Sequence, residues 1–398
     1  MPELIPLRWP KGWRDASTLG LIKGTPINCL VGESPPPFPI GDVTFVNLNK
    51  GTPPEGVVPC EGVWPRVLPA TKKDAAEAGA TGGPWVDSNA GVIRLTQTMN
   101  PGRIVWVDSS PPGGNEVVPE DAFVRAVAEA EAYGAHWITT LNQSLAEGLA
   151  AGAGEAHRLW KRMISAMAFF ASRLEWRTWE PVAALAVVSP FEGESKLLSE
   201  EFVKLAPRRH LACRVLRAAD VAGGSLTRQK AILYLDSGPP AGDVRRRLLE
   251  FAQAGGMLIA PPGTASGEPV ETRLGYHLYR SAKGLIAVPR EAWYDPFSLV
   301  DEIQVLLSHR EDVVRVWNGG DMNSHFVTAP KGGQGVVHLI PYASGRTQAV
   351  TIGLAEPYRR ARVLTLDGQR LVQPVRGELG IEIPVGEFTS YAAIEVGV

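Results

Sequence analysis

Cysteine is scarce in this chain: Cys29, Cys60 and Cys213 are the only three among 398 residues, and they are widely separated. A disulfide framework and a CxxC metal site are therefore excluded, and the thiols read as buried apolar residues. Charge of one sign is lacking too. Forty Lys and Arg stand against 42 Asp and Glu, a formal charge of -2, with no run of either sign. That leaves no broad electrostatic footprint for nucleic acid or anionic lipid. No apolar run approaches 18 residues, and the start MPELIPLRWPKGW has neither the basic stretch nor the apolar core of an export signal. The expectation is a soluble, cytoplasmic chain with no membrane contact.

What is present is ordinary globular material. Hydrophobic residues make up 44% and charged residues 21%, enough for a core in each of the two to three domains that the length suggests at roughly 150 residues apiece. The 42 glycines and 33 prolines exceed the usual share of about 12% but stay under the ~25–30% of low-complexity chains. They point to many turns rather than to disorder.

Up to about residue 178, short apolar strands alternate with helical patterns, as in an α/β layer structure. Strands are expected at Ile27 to Val31, Val43 to Leu48, Val57 to Cys60, Ile104 to Val107 and His136 to Leu141. Glu120 to Tyr133 reads as a helix with acidic residues in its first turn and Gly134 as its stop, which makes 104–141 a βαβ unit. Ser88-Asn89 reads as the cap of a shorter helix ending before Pro101-Gly102. From Glu155 to Trp176, Leu159, Met163, Met167, Phe170 and Leu174 recur at helical spacing, so a long amphipathic helix closes this segment.

A second segment opens with the continuous apolar run Val182 to Val188, the pattern of a strand buried on both faces. Helices at Glu194 to Leu205 and Ala241 to Ala254, and strands at Leu211 to Leu216, Ala231 to Leu235 and Met257 to Ala260, predict a small doubly wound domain. Pro261 to Gly275 reads as a surface excursion. After a helix at Pro296 to His309 the period changes to two: eight alternating runs, from DVVRVWN to SYAAIEV, predict an antiparallel β-sandwich. Lys331-Gly332-Gly333-Gln334 and Asp367-Gly368 supply explicit turns. The expected domains are 1–178, 179–295 and 296–398.

Three stretches carry a resemblance: ILYLDSGPPAGDVRRRLLEFAQAGGMLIAPPG at Ile232 to Gly263, GVWPR at Gly62 to Arg66 and GPWVDSNAG at Gly83 to Gly91. With the domain order, they resemble the later portion of bacterial β-galactosidases of glycoside hydrolase family 42 and their uncharacterised bacterial relatives. The resemblance implies a multidomain α/β plus all-β fold: a short or incomplete (β/α) barrel-like domain, a flavodoxin-like or amidotransferase-like doubly wound domain, and a C-terminal β-sandwich. It also implies a carbohydrate ligand and a homo-oligomer built through the middle domain. Two departures stand out. The first segment falls short of a typical barrel of ~250 residues. The Asn-Glu pair that such barrels carry at a strand end occurs here only as Asn115-Glu116, inside a loop.

Glycoside hydrolysis needs two carboxyl groups flanking the bond, and in a barrel these sit at the C-terminal ends of strands. Glu61, Asp87 and Asp108 are the candidates by position, with Glu33 also at a strand end. Equally, Asp87 could open a helix, Asp108 could start a turn, and Glu33 and Glu61 could be solvated loop residues. Nine of the eleven tryptophans precede residue 180. Trp64 and Trp85 lie in Gly/Pro-rich loops next to Arg66 and Asp87, so Trp64, Arg66, Trp85 and Asn89 are the candidate sugar-binding residues; a loop tryptophan can equally plug a barrel end. No GxCxG or GxSxG elbow accompanies Cys213, and Gly223-Gly224 and Gly255-Gly256 form no GxGxxG. Seven histidines show no HxxxH or HxH spacing. No cofactor and no metal are expected. The two leading function classes are a glycosidase and a catalytically degenerate glycan-binding or assembly protein; a third, an amidotransferase-like enzyme, requires a nucleophile that the sequence does not display.

Overall fold

The computed structural model describes residues 3–48, 53–68, 85–113, 118–221, 223, 226, 228–308 and 311–397, with Trp85 described by its backbone alone. Eight strands belong to the first segment: β1 (Pro6–Arg8), β2 (Cys29–Val31), β3 (Thr44–Val46), β4 (Val57–Glu61), β5 (Arg66–Leu68), β6 (Trp85–Asp87), β7 (Ile104–Asp108) and β8 (Ala135–Trp137). Among the described residues, four α-helices accompany them: α1 (Ala90–Met99), α2 (Glu120–Ala132), α3 (Gln143–Ala150) and α4 (Gly154–Ala171).

Six of the strands are parallel, in the orders β1-β2-β3 and β4-β7-β8. A parallel bridge between Leu7 and Thr139 joins the two halves, with Arg8 N–H donating to Thr139 O and Thr139 N–H to Pro6 O. Successive side chains on a strand point to opposite faces. Leu7, Leu30, Val105 and Val107 pack outward into the core formed with the helices. Cys29, Val31, Val46, Val57, Trp106 and Ile138 meet in a separate cluster on the inner face. That cluster draws on β3 and β4, the two outermost strands of the combined order, so the sheet curls around it. Burial on both faces explains the continuous apolar strands.

The helix expected at Glu155 to Trp176 is shorter. α4 ends at Ala171 and a 3-10 turn, Leu174–Thr178, follows; Leu174 is exposed rather than part of the buried stripe. β9 (Glu180–Pro181) then pairs with the terminal sheet before the chain enters the middle region.

The middle region contains β10 (Leu185–Ser189), α5 (Lys196–Leu205), β11 (Cys213–Arg217), β12 (Ala231–Tyr234), α6 (Gly242–Gln253), β13 (Met257–Ile259), β14 (Glu271–Arg273), β15 (Tyr276–Ser281), β16 (Gly284–Pro289) and α7 (Pro296–Leu307). Its seven-stranded sheet runs β11-β10-β12-β13-β16-β15-β14, parallel through β16 and antiparallel beyond. α5 and α7 cover one face and α6 the other. The stretch expected as a surface excursion thus contributes an edge strand, β14. A close helix crossing docks this region on the first: a Cβ at Gly91 of α1 would lie 2.4 Å from Lys204 Cα of α5.

The terminal region comprises β17 (Val314–Trp317), β18 (Met322–Thr328), β19 (Gln334–Pro341), β20 (Val350–Leu354), β21 (Arg360–Thr365), β22 (Gly368–Val372), β23 (Val375–Gly377), β24 (Gly380–Gly386) and β25 (Ala392–Gly397). Two antiparallel sheets, β22-β21-β25-β19-β18-β9 and β17-β20-β24-β23, enclose a core that includes Phe326, Leu339 and Ile394 from one and Ile352 and Ile383 from the other. The outer face of the larger sheet is not solvated. Val336, Ile340 and Ala393 join the core of the first segment. Among the described residues, no helix is long and apolar enough to cross a membrane.

Candidate functional site

β4 and β7 pair in register, with Glu61 opposite Asp108 at their C-terminal ends. Adjacent strands are spaced about 4.8 Å apart. Both residues follow the inward alternation set by Val57 and Trp106, so the two carboxylates stand side by side above the inner cluster. Arg8, at the end of β1, forms an ion pair with Asp108 and donates from Nε to Thr140 Oγ1 at 3.4 Å. Glu33, after β2, pairs with Lys11 at 3.1 Å; both are exposed. The open ends of the strands thus gather carboxylates and cations.

The loop leaving β4 is built around a close approach. Gly62 N–H donates to Asp108 O at 2.8 Å, and a Cβ at Gly62 would stand 2.4 Å from Val107 Cγ1 and 2.7 Å from Asn89 Oδ1. Only glycine fits there. Asn89 then clasps the loop: its Oδ1 accepts from Val63 N–H at 2.8 Å and its Nδ2 donates to Val63 O at 2.9 Å. This occupation explains why Asn89, the N-cap residue of α1, caps nothing with its side chain.

β5 and β6 pair antiparallel, with Arg66 facing Asp87, Nε to Oδ2 at 3.9 Å. Arg208 lies close enough for its charge to couple to Asp87 and Asp321, while burial, together with Arg209, holds its own pKa below the ordinary arginine value. Trp64 is only 6% exposed and stacks edge-on against Phe123 and Trp137; its ring sits in the core of the segment. Trp85 has a described backbone only, and Asn115-Glu116 lie outside the described residues. The fold therefore brings together Glu61 with Asp108, Arg66 with Asp87, and Asn89 with the loop between them.

One carboxylate escaped the sequence reading. Glu129 of α2 is fully buried and accepts from Ser88 Oγ at 2.7 Å, Asn89 N–H at 3.0 Å, Asn89 Nδ2 at 2.8 Å and the Tyr342 hydroxyl. Asn323 Nδ2 of β18 donates to Ser88 Oγ and Tyr342 Oη. Burial raises the Glu129 pKa above the usual carboxylate range, and the four donors work against that rise. Above this network, a pocket of about 230 Å³ is lined by Trp64, Arg66, Arg125, Tyr342 and Ser344, among others. Arg125, 1% exposed, is held by the carbonyls of Pro65, Pro341 and Ala343 and by Asp121. The only sequence signal was a Glu on the buried side of an amphipathic helix.

Thiol chemistry has little support. Burial pushes Cys29 up to about 12, and Cys60 and Cys213 up to about 11, so all three stay protonated at neutral pH. Among the described residues, no group of three or more His, Cys, Asp or Glu is placed to hold a metal ion.

No family model and no curated protein matches the chain. Solved structures do. The α-L-fucosidase isoenzyme 2 of Paenibacillus thiaminolyticus aligns at TM-score 0.53 and 11% identity, over 77% of this chain and 62% of that one. A β-galactosidase from Bacillus circulans sp. alkalophilus aligns at 0.51 and 10%, over 78% and 58%. A rhamnosidase from Novosphingobium sp. PP1Y aligns at 0.52 and 10%, over 86% and 34%. The chain shares the mixed α/β fold of these glycosidases, as the resemblance drawn from its domain order expected, and spans about six-tenths or less of their length.

Proposed function

We propose that this is a glycoside-hydrolase-like, carbohydrate-active protein that hydrolyses O-glycosidic bonds with Glu61 and Asp108. The observation that carries the reading is their register pairing at the ends of β4 and β7, on the same face and beside Arg8. Two carboxyl groups on neighbouring strands suit the short separation of retaining glycosidases, about 5–5.5 Å. In this reading Asp108, oriented by Arg8, attacks the anomeric carbon. Glu61 protonates the leaving oxygen and then takes a proton from the incoming water. Asp87 and Arg66 hold substrate hydroxyls from the β5–β6 pair. Trp64 and Asn89 act one layer below, keeping the loop after β4 in place.

The test is hydrolysis of a nitrophenyl glycoside panel that includes galactoside, fucoside and rhamnoside. Glu61→Gln and Asp108→Asn should each lower kcat by about 10²- to 10⁴-fold with unchanged circular dichroism, and the first product should retain its anomeric configuration by NMR. Turnover that survives both substitutions removes the pair from the chemistry. The second reading, glycan binding or assembly without turnover, draws on the ion pair that already occupies Asp108 and on a first segment with six parallel strands. Binding of those glycosides by the wild type without any product would favour it. In either reading the middle region is amidotransferase-like and carries a homo-oligomer. Light scattering that returned a single chain mass would contradict that.

A further inference from the structure

We propose that the middle region holds a second saccharide site, separate from the strand-end carboxylates: a pocket of about 300 Å³ formed by Tyr276, Arg290, Trp293, Tyr294, Ser298 and Glu302. Its place follows from the fold. It opens where β16 ends at Pro289, and open α/β sheets bind ligands beyond the carboxyl ends of their parallel strands. Its volume lies at the lower end of the range for small-molecule sites, which suits one sugar ring rather than a chain.

The floor is preorganised. Tyr276 is 1% exposed; its hydroxyl donates to Glu302 Oε2 at 2.6 Å and accepts from Trp293 Nε1 at 2.9 Å. One phenol thus fixes both a carboxylate and an indole. Glu302 has no ion pair among the described residues, which leaves acceptor positions open for hydroxyl donors. Asp295 is not a rival acceptor, since its carboxylate caps α7 through Phe297 N–H, Ser298 N–H and Ser298 Oγ. Arg290 and Glu291 line the rim, and the backbone N–H of Arg290 closes the wall onto Gly275 O at 2.9 Å. Tyr294, 88% exposed, sets a solvated aromatic face at the mouth.

A fixed acceptor, a guanidinium donor and aromatic faces match a ligand whose hydroxyls both donate and accept and whose ring carbons are apolar. Glu291 and Glu302 both line the pocket, which disfavours a simple anion, while Arg290 beside them offsets part of their charge. A neutral monosaccharide suits both kinds of group.

Saturation-transfer NMR on the full chain with galactose, L-fucose and L-rhamnose tests the proposal. At least one sugar should bind saturably in the millimolar range. Tyr294→Ala and Glu302→Gln should each weaken it tenfold or more; the glutamine keeps the acceptor for Tyr276, and the tyrosine is solvated, so both variants fold. Leu371→Ala, on the exposed edge strand β22 and outside both sites, should leave the signal unchanged. The site is overturned if none of the three sugars binds saturably, or if both pocket variants bind all three with wild-type affinity and signal strength. Because this is binding and not turnover, failure of the hydrolysis experiment leaves the outcome intact.

Discussion

The carboxylates at the strand ends and the carboxylate of Glu129 are connected through one loop, Gly62 to Pro65 with Asn89 beneath it, yet they live in opposite surroundings. Glu61 is exposed and Asp108 half-exposed, each able to meet a ligand. Glu129 is fully buried and accepts from Ser88, Asn89 and Tyr342. A buried carboxyl group answered by four donors holds elements together, because leaving any partner unpaired costs its full desolvation. A wet charge with one partner can change partners. The difference separates carboxylates open to a ligand from one locked into the scaffold, in residues of the same type.

Breaking the buried side should have the largest effect. Glu129→Ala strands the donors of Ser88, Asn89 and Tyr342 and is expected to cost about 3 to 5 kcal/mol in urea unfolding, whereas Asp108→Asn leaves unfolding within about 1 kcal/mol of wild type. Equal losses would erase the distinction. Gly62→Ala comes next, because the added methyl collides with Val107 and Asn89; overpacking of this kind costs about 1–3 kcal/mol. Its urea midpoint should fall together with any glycosidase activity, as the same glycine positions Glu61.

The third effect is a pH dependence. His338 donates to or accepts from Tyr391 Oη at 2.6 Å, and His325 stacks on Tyr133 while meeting Arg94 at 2.8 Å. Burial holds His338 down at about 3 and His325 well below the ordinary histidine value. Below pH ~6.5 the unfolded chain takes up protons that the folded chain refuses. Stability should therefore fall as pH drops from about 6.5 toward about 3. His136 works the other way: burial depresses it, but Glu131 and Glu3 raise it overall, so its contribution is present below pH ~6.5 and is lost as pH climbs through its raised value. Thermal melts from pH 7 to 4 should fall less steeply for His338→Phe than for wild type; parallel slopes would remove His338 as the cause. Smallest of all is Lys11→Ala, which breaks an exposed pair with Glu33 and should shift stability by less than about 1 kcal/mol.

Periodicity made most of the fold legible. The βαβ unit around Glu120 to Tyr133, the strand at Val182 to Val188 and the eight alternating runs after residue 311 all correspond to elements in the structure, since burial on one or two faces writes itself directly into apolar spacing. Some strands did not show: β1 and β14 are three residues long and carry no flanking apolar run to mark them, and the six-residue hairpin strands β15 and β16 also went unexpected. Trp64 looked like a loop aromatic because its neighbours are glycine and proline, although Phe123 and Trp137, far along the chain, bury it.

Order and spacing alone determined that this chain has an α/β beginning, a doubly wound middle and an antiparallel end, because those patterns are local records of which face each element buries. Tertiary structure alone decided which carboxylates stand together in the open and which are buried. Glu61 and Asp108 are 47 positions apart and become neighbours through a parallel register. Glu129 is removed from solvent by Tyr342 and Asn323 of a region that begins nearly 200 residues later. Availability of a charge depends on what the rest of the chain places against it, and no local pattern carries that information.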